Sequence, residues 1–188
     1  MATHKLHTEQ ETFYFVTFTC YKWISLIEKT NLYDYFPFWV DKVTEKGAKL
    51  CGYVIMPNHI HLLVYFKNEK IPLNKVFSEG KRFMAYEIVK RLKNHNNPEL
   101  LKVLADGVKP QERKNGKLHQ VFRLSFDAKE CRGENEINAV LDYIHHNPVS
   151  GKWNLADNFI DYKWSSAGFY EENRNNDVQL YDYRSIFD

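Results

Sequence analysis

Residues 49–66 read KLCGYVIMPNHIHLLVYF, and the folding of this stretch sets the frame for the whole chain. Lys49 to Met56 carries the run Tyr53-Val54-Ile55 and stops at Pro57-Asn58. That pair favours a turn, because proline presets φ and asparagine tolerates left-handed backbone. His59 to Phe66 resumes strand composition, so the two runs predict an antiparallel hairpin. Alternate side chains of a strand share a face. His59 and His61 therefore project to one side, and Ile60 and Leu62 to the other as ordinary core. Two imidazoles roughly 6.5–7 Å apart along a strand suit two ligands of one metal ion. A lone His-x-His is more often a half-buried pair satisfied by backbone groups or water.

Thr12 to Tyr21 (TFYFVTFTCY) alternates with period two and predicts a strand before the hairpin. Between them, Asn31 to Lys46 predicts a helix closed by Gly47, opened in its main part by Pro37, with Phe36, Trp39, Val40 and Val43 on one face. After the hairpin, Leu73 to Leu92 predicts a long helix with Gly80 as its weak point. Leu92 to Gly116, rich in Lys, Asn, Pro and Gly, reads as a connector, and Leu118 to Phe126 as a fourth strand. Glu134 to His146 places Ile137, Val140, Leu141 and Ile144 at helical spacing, and Pro148 is expected to stop it. The order β-α-β-β-α-β-α predicts an α+β fold: a ferredoxin-like split βαβ antiparallel sheet with helices on one face, plus an added C-terminal helix.

At 188 residues, 44% hydrophobic and 27% charged, the chain suits one ordered domain over residues 1–188. Its core is expected at about 12–170, with 171–188 a tail. No apolar run approaches the roughly 18 residues of a membrane span. The polar start, Met1 to Gln10, is unlike a signal peptide, so a cytoplasmic protein with no membrane partner is expected. Cys20, Cys51 and Cys131 are odd in number and lack metal-type spacing, which fits buried or free thiols in a reducing compartment. The net charge of +2 conceals an uneven distribution. Residues 67–123 carry 14 Lys and Arg against 6 Asp and Glu, and residues 154–188 carry 3 against 7. Lys81, Arg82, Lys90, Arg91, Lys93 and Arg123, interleaved with Phe83 and Tyr86, form a candidate surface for single-stranded nucleic acid. The competing reading is the solvated face of a helix.

Tyr143 lies off the centre of its helix's apolar stripe, with Asn147 one turn further on the same side. An aromatic in such a place is usually packing. His145 and His146 could also be ligands, but consecutive helical residues diverge by about 100° and do not readily share one ion.

Three segments, in this order and spacing, carry a resemblance. Residues 52–63 (GYVIMPNHIHLL), 142–149 (DYIHHNPV) and 164–167 (WSSA) resemble the MPNHxHLL signature, the catalytic-helix motif and the WSS element of the small single-tyrosine HUH transposases. The branch they resemble most is the REP-associated tyrosine transposases, and the likeness runs from about Phe13 to Phe169. It implies a DNA transposase with Tyr143 as nucleophile on the added helix and a divalent ion, Mg²⁺ or Mn²⁺, held by His59, His61 and Asn147. It implies single-stranded hairpin DNA as partner, cleaved and rejoined through a 5′-phosphotyrosine, by a monomer or a homodimer. The chemistry needs that help: a phenol with a pKa near 10 is only about one part in a thousand phenolate at pH 7, so the developing anion must be stabilised. A non-catalytic nucleic-acid-binding module of RNA-recognition-like fold is the alternative, but it needs none of these four residues. A histidine-triad hydrolase would need a third histidine where Leu63 stands.

Overall fold

The computed structural model describes residues 11–67, 70–124 and 127–187. In chain order the elements are β1 (Glu11–Thr19), α1 (Leu26–Lys29), α2 (Phe36–Thr44), β2 (Ala48–Met56), β3 (His59–Lys67), α3 (Leu73–Asn94), α4 (Pro98–Asp106), α5 (Pro110–Lys114), β4 (Asp127–Cys131), α6 (Glu134–His146), α7 (Ala167–Glu172) and α8 (Arg184–Phe187). The sheet order is β2-β3-β1-β4, with every neighbouring pair antiparallel. Because β3 lies between β1 and β2, this is the expected split βαβ arrangement.

Strand alternation sorts the side chains into two cores. Tyr14, Val16 and Phe18 of β1 and Ile60, Leu62, Val64 and Phe66 of β3 pack with Trp39 and Val40 of α2 and Val76, Phe77 and Met84 of α3. On the reverse face Phe13, Leu63, Val54 and Met56 pack with Ile137, Leu141 and Ile144 of α6. Helices α2 and α3 thus cover one face as expected, and the added helix α6 covers the other. A bulge between Leu50 and Gly52 shifts the parity of β2, so that Val54 and Met56 stand opposite His61 and His59. Gly52 lets α6 approach: a Cβ there would lie 2.5 Å from the Leu141 side chain. Gly80, the expected weak point of α3, has a packing role of its own, since a Cβ would lie 2.6 Å from the Trp39 indole nitrogen.

Four expectations need correction. The fourth strand is Asp127–Cys131, not Leu118 to Phe126. Gln120, Val121 and Phe122 are all buried, so the alternation in that run is not an alternation in space. Within its described part it makes one isolated bridge, Phe122 to Cys20. The true strand, DAKEC, is a short charged edge strand of the kind that resists further pairing. The connector is structured: Asn97 caps α4 by accepting from the Leu100 N–H, and prolines open both α4 and α5. The predicted helix over Asn31–Lys46 is a 3-10 turn, Leu32–Tyr35, followed by α2. Helix α6 ends at His146 as expected, but the residue before Pro148 is not pushed out of helical conformation. Asn147 keeps φ −54°, ψ −42°, and a 3-10 turn, Asn147–Val149, follows α6 directly.

Residues after 170 return to the sheet, with the Tyr181 N–H donating to Leu50 O at 2.9 Å and Tyr183 buried in the α6 core. The three cysteines are buried and free, and burial pushes the Cys20 and Cys51 thiols up to about 12. Among the described residues no helix is long and apolar enough to cross a membrane. The expectation for Met1 to Gln10 lies outside the described residues.

Candidate active site

The strand register puts His59 opposite Thr19 and His61 opposite Thr17, on the face that α6 covers. The two imidazoles are 4.7 Å apart between ring centres and almost wholly buried. Tyr143, on α6, sets its ring edge-on to Phe15 at 5.8 Å. Its hydroxyl lies 3.4 Å from His61 Nε2. Although it reaches a buried pair, Tyr143 keeps 51% of its surface in solvent, so the hydroxyl stands where a large substrate can meet it. Asn147, one turn on, is near enough to His59 for its side chain to oppose the effect of burial on that ring. Its backbone is right-handed helical, which sets aside the left-handed helix cap as its role. The histidines of β3 and Tyr143 and Asn147 at the end of α6 are therefore brought together although at least 82 residues apart in sequence.

The histidines are held from behind. Asn58 Nδ2 donates to the Trp23 carbonyl at 2.9 Å, which turns the amide oxygen towards His59 Nδ1 at 2.6 Å. An amide oxygen can only accept, so His59 Nδ1 carries the proton and Nε2 its lone pair. His61 Nδ1 lies 2.9 Å from Thr17 Oγ1. Anchoring one ring nitrogen to a polar partner is how metal-binding imidazoles are oriented. Burial also keeps both rings neutral. It pulls His59 down from 6.5 to about 4, with Asn147 opposing and Lys152 assisting, and with His59 it pulls His61 down to about 3. Among the described residues no three His, Cys, Asp or Glu side chains converge on one point. The donor set is two imidazoles and a carboxamide, which fits a divalent ion with open positions for substrate oxygens.

Burial lowers His145 to about 4 as well. Each of these folded values lies below the ordinary 6.5, so between the two the unfolded chain binds more protons. Stability is full above about pH 6.5 and falls as pH drops towards about 4. Melting temperature should therefore decline from about pH 7 to about pH 4.5. A flat profile would contradict neutral, buried rings.

Other sequence candidates lie elsewhere. His145 Nε2 meets Ser166 Oγ at 2.9 Å, and that oxygen accepts from the Tyr53 N–H at 2.9 Å. The WSS element thus runs along β2, with Ile55 N–H donating to Trp164 O, and ties α6 to the sheet. His146 meets Asp142 at 3.1 Å and packs its ring, tilted, against Phe159. Leu63, on the histidine face, is fully buried core.

Of the basic set, the five on α3 lie on a helix of the opposite sheet face. Lys81 Nζ donates to the Arg123 carbonyl at 2.7 Å, and burial lowers it to about 8. Arg91 clamps the Asn31 carbonyl, Asp34 and Glu87. Lys90 pairs with Glu87 at 3.3 Å, while Arg82 and Lys93 are exposed. Arg123 does reach the site, through Trp23: its guanidinium sits 5.9 Å from the indole centre, and the indole is 5.9 Å from the His59 ring. On another side Trp153 lies 6.2 Å from His59 with Lys152 over its ring. Sequence reasoning missed Thr17, Trp23 and Trp153. Only the register of β1 against β3 and the path of the loops bring them in.

No protein-family model matches the chain, and no curated protein sequence matches it. Among solved structures it is similar to a REP-associated tyrosine transposase bound to a REP hairpin, with a TM-score of 0.56 over 97% of this chain and 93% of that one. Sequence identity is 17%, so the likeness is one of fold.

Proposed function

We propose that this chain is a metal-dependent single-stranded DNA transposase that cleaves and rejoins strands near hairpins through a 5′-phosphotyrosine on Tyr143. The observation that carries the reading is Tyr143, a side chain half in solvent whose hydroxyl is 3.4 Å from His61 Nε2. A packing tyrosine has no need of a buried histidine, and a purely binding module has no need of two neutral ones. The solved transposase of like fold was bound to a hairpin, which supports hairpin DNA as the partner here.

His59, His61 and Asn147 would hold Mg²⁺ or Mn²⁺. When bound, such an ion supplies Lewis-acid polarisation of the scissile phosphate and stabilises negative charge on the attacking and leaving oxygens. The chain's own residues do the rest. Thr17 and Asn58 fix the two rings, and α6, seated against Gly52, delivers the phenol. Arg123 and Lys152 set positive charge at the rim for a phosphate backbone. In the reaction the Tyr143 oxygen bonds to phosphorus, the bond from phosphorus to O3′ breaks, and the departing oxygen ends as a 3′-hydroxyl with the phenol's proton. One phosphodiester replaces another, so rejoining needs no nucleotide triphosphate.

The test is the chemistry of the ends. Incubation of an end-labelled single-stranded hairpin with Mn²⁺ should give an upstream fragment whose 3′-hydroxyl a polymerase extends, and a downstream fragment whose 5′ end is blocked by protein. Binding without any cleavage would favour the non-catalytic module, and free 5′-phosphates would indicate simple hydrolysis.

A further inference from the structure

Trp23 is 54% exposed, so about half of a large aromatic side chain is open to solvent at the edge of the site. Its backbone adds to the oddity. Lys22 and Trp23 take φ of 51° and 59° in succession, a left-handed region that suits glycine far better than a bulky residue. The loop is nonetheless held there. The Trp23 N–H donates to Cys20 O at 3.1 Å, and its carbonyl accepts from the same Asn58 amide that orients His59. Strained backbone kept in place by such over-determination is characteristic of functional surfaces. The indole is thereby set 5.9 Å from the His59 ring, nearly perpendicular to it, with the Arg123 guanidinium over its own ring.

An exposed, rigid aromatic with a cation on it, at the edge of a phosphodiester-cleaving site, has the two properties that hold single strands: a stacking surface and charge for the backbone. We propose that Trp23, with Arg123, is the stacking platform for a nucleobase beside the scissile phosphate, a subsite formed by the loop between β1 and α1. The proposal rests on the reading of the site as one that cleaves single-stranded DNA. Because every base has a π face, the subsite fixes the path of the strand and not its sequence.

The experiment measures equilibrium binding of the full chain to a hairpin oligonucleotide with a single-stranded flank. It is done in a Tyr143→Phe background, so that no covalent step contributes. Trp23→Gly suits the test, since glycine accepts the left-handed backbone and the variant should melt no lower than its parent. Its affinity for the intact oligonucleotide should fall about 5- to 150-fold, and Trp23→Tyr should recover most of it. An abasic nucleotide is then scanned across the cleavage junction. At one position the parent should lose affinity and Trp23→Gly should lose none further. Unchanged affinity in Trp23→Gly, or an equal loss on intact and all abasic strands, would overturn the stacking subsite while leaving the cleavage reading in place. Failure of the parent to bind any single strand would overturn both.

Discussion

Replacing Tyr143 with phenylalanine should abolish the covalent DNA adduct while leaving hairpin affinity and stability nearly unchanged. The substitution removes one hydroxyl and keeps the ring that packs edge-on to Phe15 and His61. The lost contact is a long one, at 3.4 Å, on a side chain half in solvent, so its stability cost should stay under about 1 kcal/mol. The chemical cost is of a different order, because without the nucleophile there is no route to the phosphotyrosine. Removal of a nucleophile can lower turnover by a factor on the order of 10⁶, which puts cleavage below detection. Denaturing electrophoresis of labelled DNA reads the result. An adduct of undiminished yield would place the nucleophile on another residue.

His61→Ala should be as damaging by a separate route, through loss of the ion. Loss of a partner that merely orients a metal-binding imidazole costs about 10- to 100-fold in metal affinity. Removal of an imidazole itself should therefore cost more than about 100-fold, read by titration with Mn²⁺. Cleavage should vanish, and a chelator added to the unmodified protein should mimic the variant. The replacement also leaves the half-buried Thr17 without its ring partner and opens space where a buried imidazole stood, so some loss of stability, about 1–3 kcal/mol, is expected. The chelator arm separates the two effects, because it removes the ion and leaves the side chain. Cleavage that survives chelation would make the histidines a structural or proton-transferring pair.

The hairpin and α6 were legible in the sequence for physical reasons. Pro57-Asn58 is turn chemistry between two apolar runs, and Ile137, Leu141 and Ile144 keep a helical period that their burial confirms. Strand parity alone placed His59 and His61 on one face. It could not say that α6 would cover that face, because the choice follows from where β4 ends and how Gly52 admits Leu141. The edge strand Asp127–Cys131 carries almost no strand propensity and is held by pairing with β1, a non-local cause. The α4 start was readable, with Asn97 before Pro98, yet the surrounding polar composition outweighed it. The charge count marked residues 67–123 correctly as basic. It could not tell Arg123, which reaches the site through Trp23, from Arg91, which is locked onto Asp34 and Glu87.

The measurement that bears most directly on the central claim is the location of the DNA–protein bond. The unmodified protein is incubated with a single-stranded hairpin and Mn²⁺, denatured, digested with nuclease and protease, and the modified peptide is identified by mass spectrometry. A nucleotide 5′-phosphate on the phenolic oxygen of Tyr143 is expected, absent when a chelator is present. A DNA-linked peptide that excludes Tyr143, or strand cleavage with no linked peptide at all, would contradict that claim.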